Sequence, residues 1–164
     1  PDVTAVVTWN PLLSEILAQP NTHAVFDSSK IPGEIIDLMI VNTKTLAENP
    51  KFGKALVGAW YEIMGLMSAD TDAGRAARTA MGKASGTDLA GYESQLDSTK
   101  MFYLPAEAVT FTKSAQLKTT MQYVAEFSFS HGLLGEGAAD ATFIGIETPA
   151  GIYGNAKNIK LRFD

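Results

Sequence analysis

Trp9-Asn10, Asp27-Ser28-Ser29, Glu34 and Asp37 are the residues of this chain whose types and positions suit chemistry. Trp9 closes the β-branched run "TAVVTW" (4–9), and Asn10-Pro11 then opens an amphipathic stretch. In open α/β sheets, ligands sit beyond the carboxyl ends of strands and near helix N-termini. An indole at such a seam is either a core plug or the wall of a pocket. Residue type favours the core, because Trp buries so much area; position favours the pocket. Glu34 and Asp37 flank the start of an apolar run just after the Pro32-Gly33 turn. They are solvent-facing ends or ligand anchors, and position alone favours the former. Asp27-Ser28-Ser29 bring a carboxylate and hydroxyls to the same place, or are turn chemistry alone.

Other chemistries find little support. There is no cysteine, which excludes disulfides, thiolate metal sites and a Cys nucleophile. His23 and His131 lie far apart without ligand spacing, so no metal site is expected, and the helix dipole explains a His at 131. No Gly-x-Ser-x-Gly elbow is present. "GEGAAD" (135–140) follows a helical pattern rather than a strand, so it fails as a dinucleotide fingerprint. No cofactor is implied.

The elements that must position these residues follow from period and punctuation. Strands are expected over 4–9, 23–27 and 35–42, the last within "EIIDLMIVN", whose near-continuous apolar run implies cover on both faces. Asn10 is expected to cap a first helix with Pro11 as its first residue, burying Leu12, Leu13, Ile16 and Leu17 and stopping near Pro20. After Asn42 the period changes and helix dominates from 50 to 132. Asn49-Pro50 repeats the cap-and-proline device, and Phe52, Leu56, Ala59, Trp60, Ile63 and Met67 recur at helical spacing, with Trp60 read as core. Ala73, Ala76, Ala77, Ala80, Met81 and Ala84 form a small-residue stripe suited to close packing. Thr87 is placed to cap a helix through Leu96, and Pro105 opens another. A long helix over 114–131 uses Leu117, Met121, Val124 and Phe127 or Ser128, and ends at His131-Gly132. Short strand-like pieces surround Pro149-Ala150-Gly151. The order reads as α/β, helix-rich, with a short and incomplete sheet.

Bulk numbers agree with a folded chain. Its 164 residues suffice for a real core, and 46% hydrophobic against 19% charged residues argues against disorder. A net charge of −5 without a dense Lys/Arg patch makes nucleic acid and anionic membranes poor partners. No apolar run approaches the roughly 20 residues that span a bilayer.

Taken together, "VVTWNPLLSEI", "VFDSSKIPGEIIDLMIVNT", "NPKFGKALVGAWYE", "AMGKASGTDLAGYESQLDSTKMFYLPAEAV" and "NIKLRFD" resemble one family over essentially the whole chain. They look like the C-terminal portion of periplasmic solute-binding proteins of ABC importers, in the branch of taurine, alkanesulfonate, nitrate and thiamine-precursor binders. The nearest subgroup is associated with urea carboxylase operons and takes guanidine or a urea-like ligand. The Trp-x-Pro segment is shared across the branch, and "FDSSKIPGEIIDL" is more particular to the subgroup.

The resemblance implies a two-lobed type II fold, a small-molecule solute, an ABC permease as partner and periplasmic location, with a signal peptide outside this chain. It implies no enzymatic activity. Residues 1–40 would complete the second lobe and the crossover strand, and 41–164 would be the helical part with a tail returning to the first lobe. Most of the first lobe's sheet would belong to an N-terminal half not in this chain, so self-association through the uncovered surface is expected. Trp9, Asn10, Asp27, Ser28, Glu34 and Asp37 would lie near the interlobe cleft as ligand-binding residues. A planar cation suits an aromatic face and carboxylates, here Trp9, Glu34 and Asp37. A sulfonate or nitrate would instead use Asn10, the Leu12 amide, Ser28 and Ser29. The rival classes are a thiamine-precursor synthase-like enzyme, which needs a His on a pocket-forming strand end, and an autonomous helical interaction module.

Overall fold

The computed structural model describes residues 3–164. The chain is mixed α/β, about 49% helical with one small three-stranded sheet among the described residues. It divides into two units, Pro1–Ile31 with Asp37–Leu104, and Pro32–Ile36 with Pro105–Asp164.

The first unit is helical: α1 (Leu12–Leu17), a 3₁₀ turn (Ser28–Lys30), α2 (Thr43–Glu48), α3 (Pro50–Ser68), α4 (Asp72–Ala84) and α5 (Leu89–Asp97). Side-chain caps start α2, α4 and α5 by giving orphan amides an acceptor. Asn42 Oδ1 accepts from the Lys44 amide at 2.9 Å, Thr71 Oγ1 from Gly74 at 3.1 Å, and Asp88 Oδ1 from Gly91 at 2.8 Å. Packing centres on one face of α4, where Gly74, Arg78 and Gly82 recur at i, i+4 and i+8. Both glycines are buried. A Cβ on Gly74 would collide with the Ala69 carbonyl, and one on Gly82 would stand 2.9 Å from the Asp88 carbonyl oxygen. Between them the Arg78 guanidinium, 16% exposed, donates from Nη1 to the Met67 and Ala69 carbonyls (2.7 and 3.1 Å) and from Nε to Glu93 Oε1 (2.8 Å). One side chain thus satisfies carbonyls at the end of α3 and ties α5 to both helices.

The second unit contains α6 (Pro105–Thr112), α7 (Ala115–Ser130), β1 (Gly145–Thr148), β2 (Gly151–Gly154) and β3 (Ile159–Arg162). The strand order is β2-β1-β3; β1 pairs antiparallel with β2 and parallel with β3. α7 lies against this sheet. Leu117, Met121 and Ala125 at i, i+4, i+8 meet Ile146, and Ile36, Phe111, Ile144, Tyr153, Leu161 and Phe163 surround them. Arg162 Nε pairs with Glu147 Oε2 at 2.6 Å across β1 and β3. α7 ends in a Schellman arrangement: Gly132 has φ +71°, its amide bonds the Phe129 carbonyl at 3.0 Å, and Leu133 bonds Ser128 at 2.8 Å.

The helices from 50 to 132, the Gly132 stop and the strands around Pro149-Gly151 match the sequence expectation. Several other expectations are corrected. Residues 4–9, 23–27 and 35–42 are not strands: among the described residues none of them pairs in a ladder, and a strand forms only where another segment supplies the pairing groups. Composition marks these segments as extended; a strand also needs a partner. Helix α1 begins at Leu12, with Pro11 before it, and the Asn10 side chain bonds Ser14 rather than a helix amide. Leu12 and Leu17 are exposed. Asn49 makes no side-chain cap, and Asp88 rather than Thr87 caps α5. Trp60 is 47% exposed, because α3 is apolar over more of its circumference than its neighbours cover; Met64 and Met67 carry the burial. The alanine stripe of α4 is largely exposed, since only glycine permits the close approach seen at 74 and 82. On α7, Val124 and Phe127 face outward, and the small Ala125 takes the position nearest the sheet.

Gly74→Ala is therefore expected to destabilise the chain by about 1–3 kcal/mol through forced separation of α3 and α4. Arg78→Met should cost about 3 kcal/mol by leaving the carbonyls of Met67 and Ala69 and the Glu93 carboxylate without their donor. Urea unfolding curves of both variants check this; a change below ~0.5 kcal/mol for each would contradict the packing account.

Candidate functional site

The candidate binding residues sit on the least regular part of the chain. Trp9 ends the extended segment 3–9, and its carbonyl accepts the Leu13 amide at 3.1 Å. Its side chain packs into no core: the residue is 81% exposed. Asn10 Oδ1 accepts from Ser14 Oγ at 2.8 Å, so this oxygen braces the start of α1.

Asp27 stands at the N-cap of the 3₁₀ turn, where Oδ1 accepts the Ser29 amide at 2.8 Å. Hydrogen bonds from the Ser29 hydroxyl and then its amide hold the carboxyl below the usual aspartate range, with Lys30 adding a favourable charge. The Ser28 carbonyl accepts from Ile31 at 3.1 Å and closes the turn. These contacts favour the turn-chemistry reading of Asp27-Ser28-Ser29.

Glu34 and Asp37 are both exposed, but they fall in different units: Glu34 in the second, Asp37 in the first. Gly33, at φ +82°, sits against Gln116 and Phe111, and Gln116 Nε2 donates to the Pro32 carbonyl at 3.0 Å. This clasp gathers residues 32–36 into the second unit. No local pattern signals this clasp, because it joins residues 84 apart.

Trp9, Asn10, Asp27, Ser28 and Asp37 thus share one unit. Among the described residues no hydrogen bond or ion pair joins Trp9 to Asp27, Ser28 or Asp37. The arrangement supplies an exposed aromatic face and an exposed carboxylate on chain segments that lack regular structure.

Among the described residues, no group of three or more His, Cys, Asp and Glu is placed to hold a metal ion. His23 is exposed in an irregular segment. His131 occupies the C-cap of α7, stacked on Phe127 with ring centroids 3.9 Å apart, its Nδ1 2.9 Å from the Phe127 carbonyl oxygen. That geometry is helix capping. No helix is long and apolar enough to cross a membrane among the described residues. Comparison with protein-family profiles, curated proteins and solved structures found no match.

The Asp27 cap carries a pH dependence of known sign. Its folded carboxyl titrates below the unfolded value, so the interaction is fully present above the ordinary aspartate pKa and disappears as pH falls through the lowered one. NMR titration should give a carboxyl midpoint below 3.8, with the Ser29 amide resonance moving in step. Asp27→Asn should abolish that movement. A midpoint at or above the ordinary value would contradict the cap.

Proposed function

We propose that this chain is the C-terminal portion of the solute-binding component of an ABC importer, non-enzymatic and periplasmic, of the two-lobed type II fold. Its ligand is a small planar nitrogen compound, guanidine or a urea-like molecule. The sequence resemblance motivates the family, and one observation carries the site: the exposed indole of Trp9 at the seam between an extended segment and a helix. A side chain of that size held in water loses the apolar burial that usually fixes Trp in a core. A ligand stacked on it restores that burial. A guanidinium on the indole gains cation–π attraction of about 0.5–2 kcal/mol, and Asp37 supplies the anionic partner. Asn10 engages Ser14, and α1 is six residues long, so the same corner offers an anion little.

Calorimetry with guanidinium chloride, urea and taurine on the full-length protein tests the reading. Guanidinium should bind, and Trp9→Ala should weaken it about tenfold, or ~1.4 kcal/mol. Asp37→Asn should cost more, because the cation then lies desolvated without a counter-charge. Tight taurine binding with no guanidinium signal would replace this reading by a sulfonate or nitrate binder. Turnover of an added substrate would replace it by an enzyme of the thiamine-precursor synthase type.

A further inference from the structure

The first unit carries three segments outside helix and strand whose backbones are unpaired. Val3–Thr8, His23–Phe26 and Asp37–Val41 make no backbone–backbone hydrogen bond among the described residues. Exposed strand-like backbone is usually guarded by Lys, Pro, Gly or bulges that discourage pairing. Asp37-Leu38-Met39-Ile40-Val41 has none of these residues, and its one charge sits at its end. Leu38 and Met39 are exposed, and Ile40 is 74% exposed.

Surface area says how much cover is missing. The chain exposes 11908 Å². A compact protein of 17.5 kDa exposes about 7,900 Å², and two separate globules of the units' sizes would together expose about 9,500 Å². The excess is therefore at least roughly 2,400 Å² per chain. Two copies together carry about 4,800 Å² of such excess, within the 2,000–5,000 Å² total range of obligate homodimer interfaces.

We propose that the 164-residue chain dimerises through antiparallel pairing of Asp37–Val41 with the same segment of a second copy. The segment is self-complementary about Met39. A two-fold sets each Leu38 opposite the other copy's Ile40, an apolar cross-strand pair, and Met39 opposite Met39. The two Asp37 carboxylates then lie at opposite ends of the ribbon. Parallel pairing would place them near each other and incur like-charge repulsion. Pairing also satisfies amides and carbonyls that have no partner among the described residues, and it brings together the apolar surface flanking the segment. The inference stands on backbone geometry and area, independently of the ligand proposed above.

Size-exclusion chromatography with light scattering on the 164-residue chain should give twice the mass of one chain. In an antiparallel ladder, alternate residues direct their amides at the partner. Either Met39→Pro or Ile40→Pro must therefore remove inter-copy bonds, two per dimer by symmetry. One of these variants should weaken dimerisation by on the order of 100-fold. Met39→Ala and Ile40→Ala, which keep the amides, should remain dimeric. The helical circular dichroism of the proline variants should match the parent, since residues 37–41 belong to no helix. A monodisperse monomer, open-ended growth, or a dimer indifferent to proline at both positions would each overturn the proposal. Trp9→Ala should leave the dimer intact, which separates failure here from failure of the ligand reading.

Discussion

The guanidinium of Arg78 holds the helical unit together. Helix α3 ends with carbonyls that have no intrahelical donor, and burial against α4 would leave them without water. Arg78 supplies the donors from α4 itself, and its Nε holds Glu93 of α5. The glycines on either side, Gly74 and Gly82, exist for the same geometry: they let α4 approach the end of α3 and the start of α5 closely enough for one side chain to reach both. A lysine reaches one acceptor as a point charge, whereas the planar fork of Arg reaches several in fixed directions. Because Arg78 is mostly shielded from water, its pairing with Glu93 has more effect than a surface ion pair such as Lys44–Glu48, whose two side chains are both well exposed.

That constraint also marks where order ends. The helices of unit one and the sheet of unit two satisfy their own backbones. The segments 3–8, 23–26 and 37–41 do not. They are the β-branched and apolar stretches that composition marks as strands, and they run without a ladder. Their exposed side chains, with those of α3 and α7, account for surface that a compact protein of this mass would have buried. The fold is self-sufficient where contacts are local in sequence and unsatisfied where they must come from elsewhere.

This division explains what the sequence made legible. Helices depend on neighbours within a few residues, so 3.6-residue periodicity, Pro at 50 and 105 and Gly at 132 locate them from sequence alone. Even there the cap itself shifted from Thr87 to Asp88, because adjacent residues compete for the same amides. Strands depend on partners far away, so a correct reading of composition at 4–9 and 35–42 still gave the wrong state. The packing face of α4 was misplaced onto its alanines for a related reason. An alanine stripe is visible in sequence, but the clash that makes Gly74 necessary comes from α3, on another helix. Trp60 shows the same limit: its place on an apolar stripe is local information, and its exposure depends on whether another element arrives to cover it.

Trp9 is the residue for which this distinction matters to function. Its side chain type argues for a core and its position argues for a surface, and sequence alone left the two in balance. In this chain the indole is exposed. An uncovered Trp at the end of an unpaired segment also fits a wall that some other polypeptide closes. The two accounts differ in chemistry. A polypeptide that covers Trp9 needs apolar area and cares little about charge at Asp37. A planar cation needs both the face and the carboxylate, because its attraction to the ring is electrostatic and its desolvation must be offset by a counter-charge. The carboxylate, rather than the indole, therefore distinguishes a ligand from a lid.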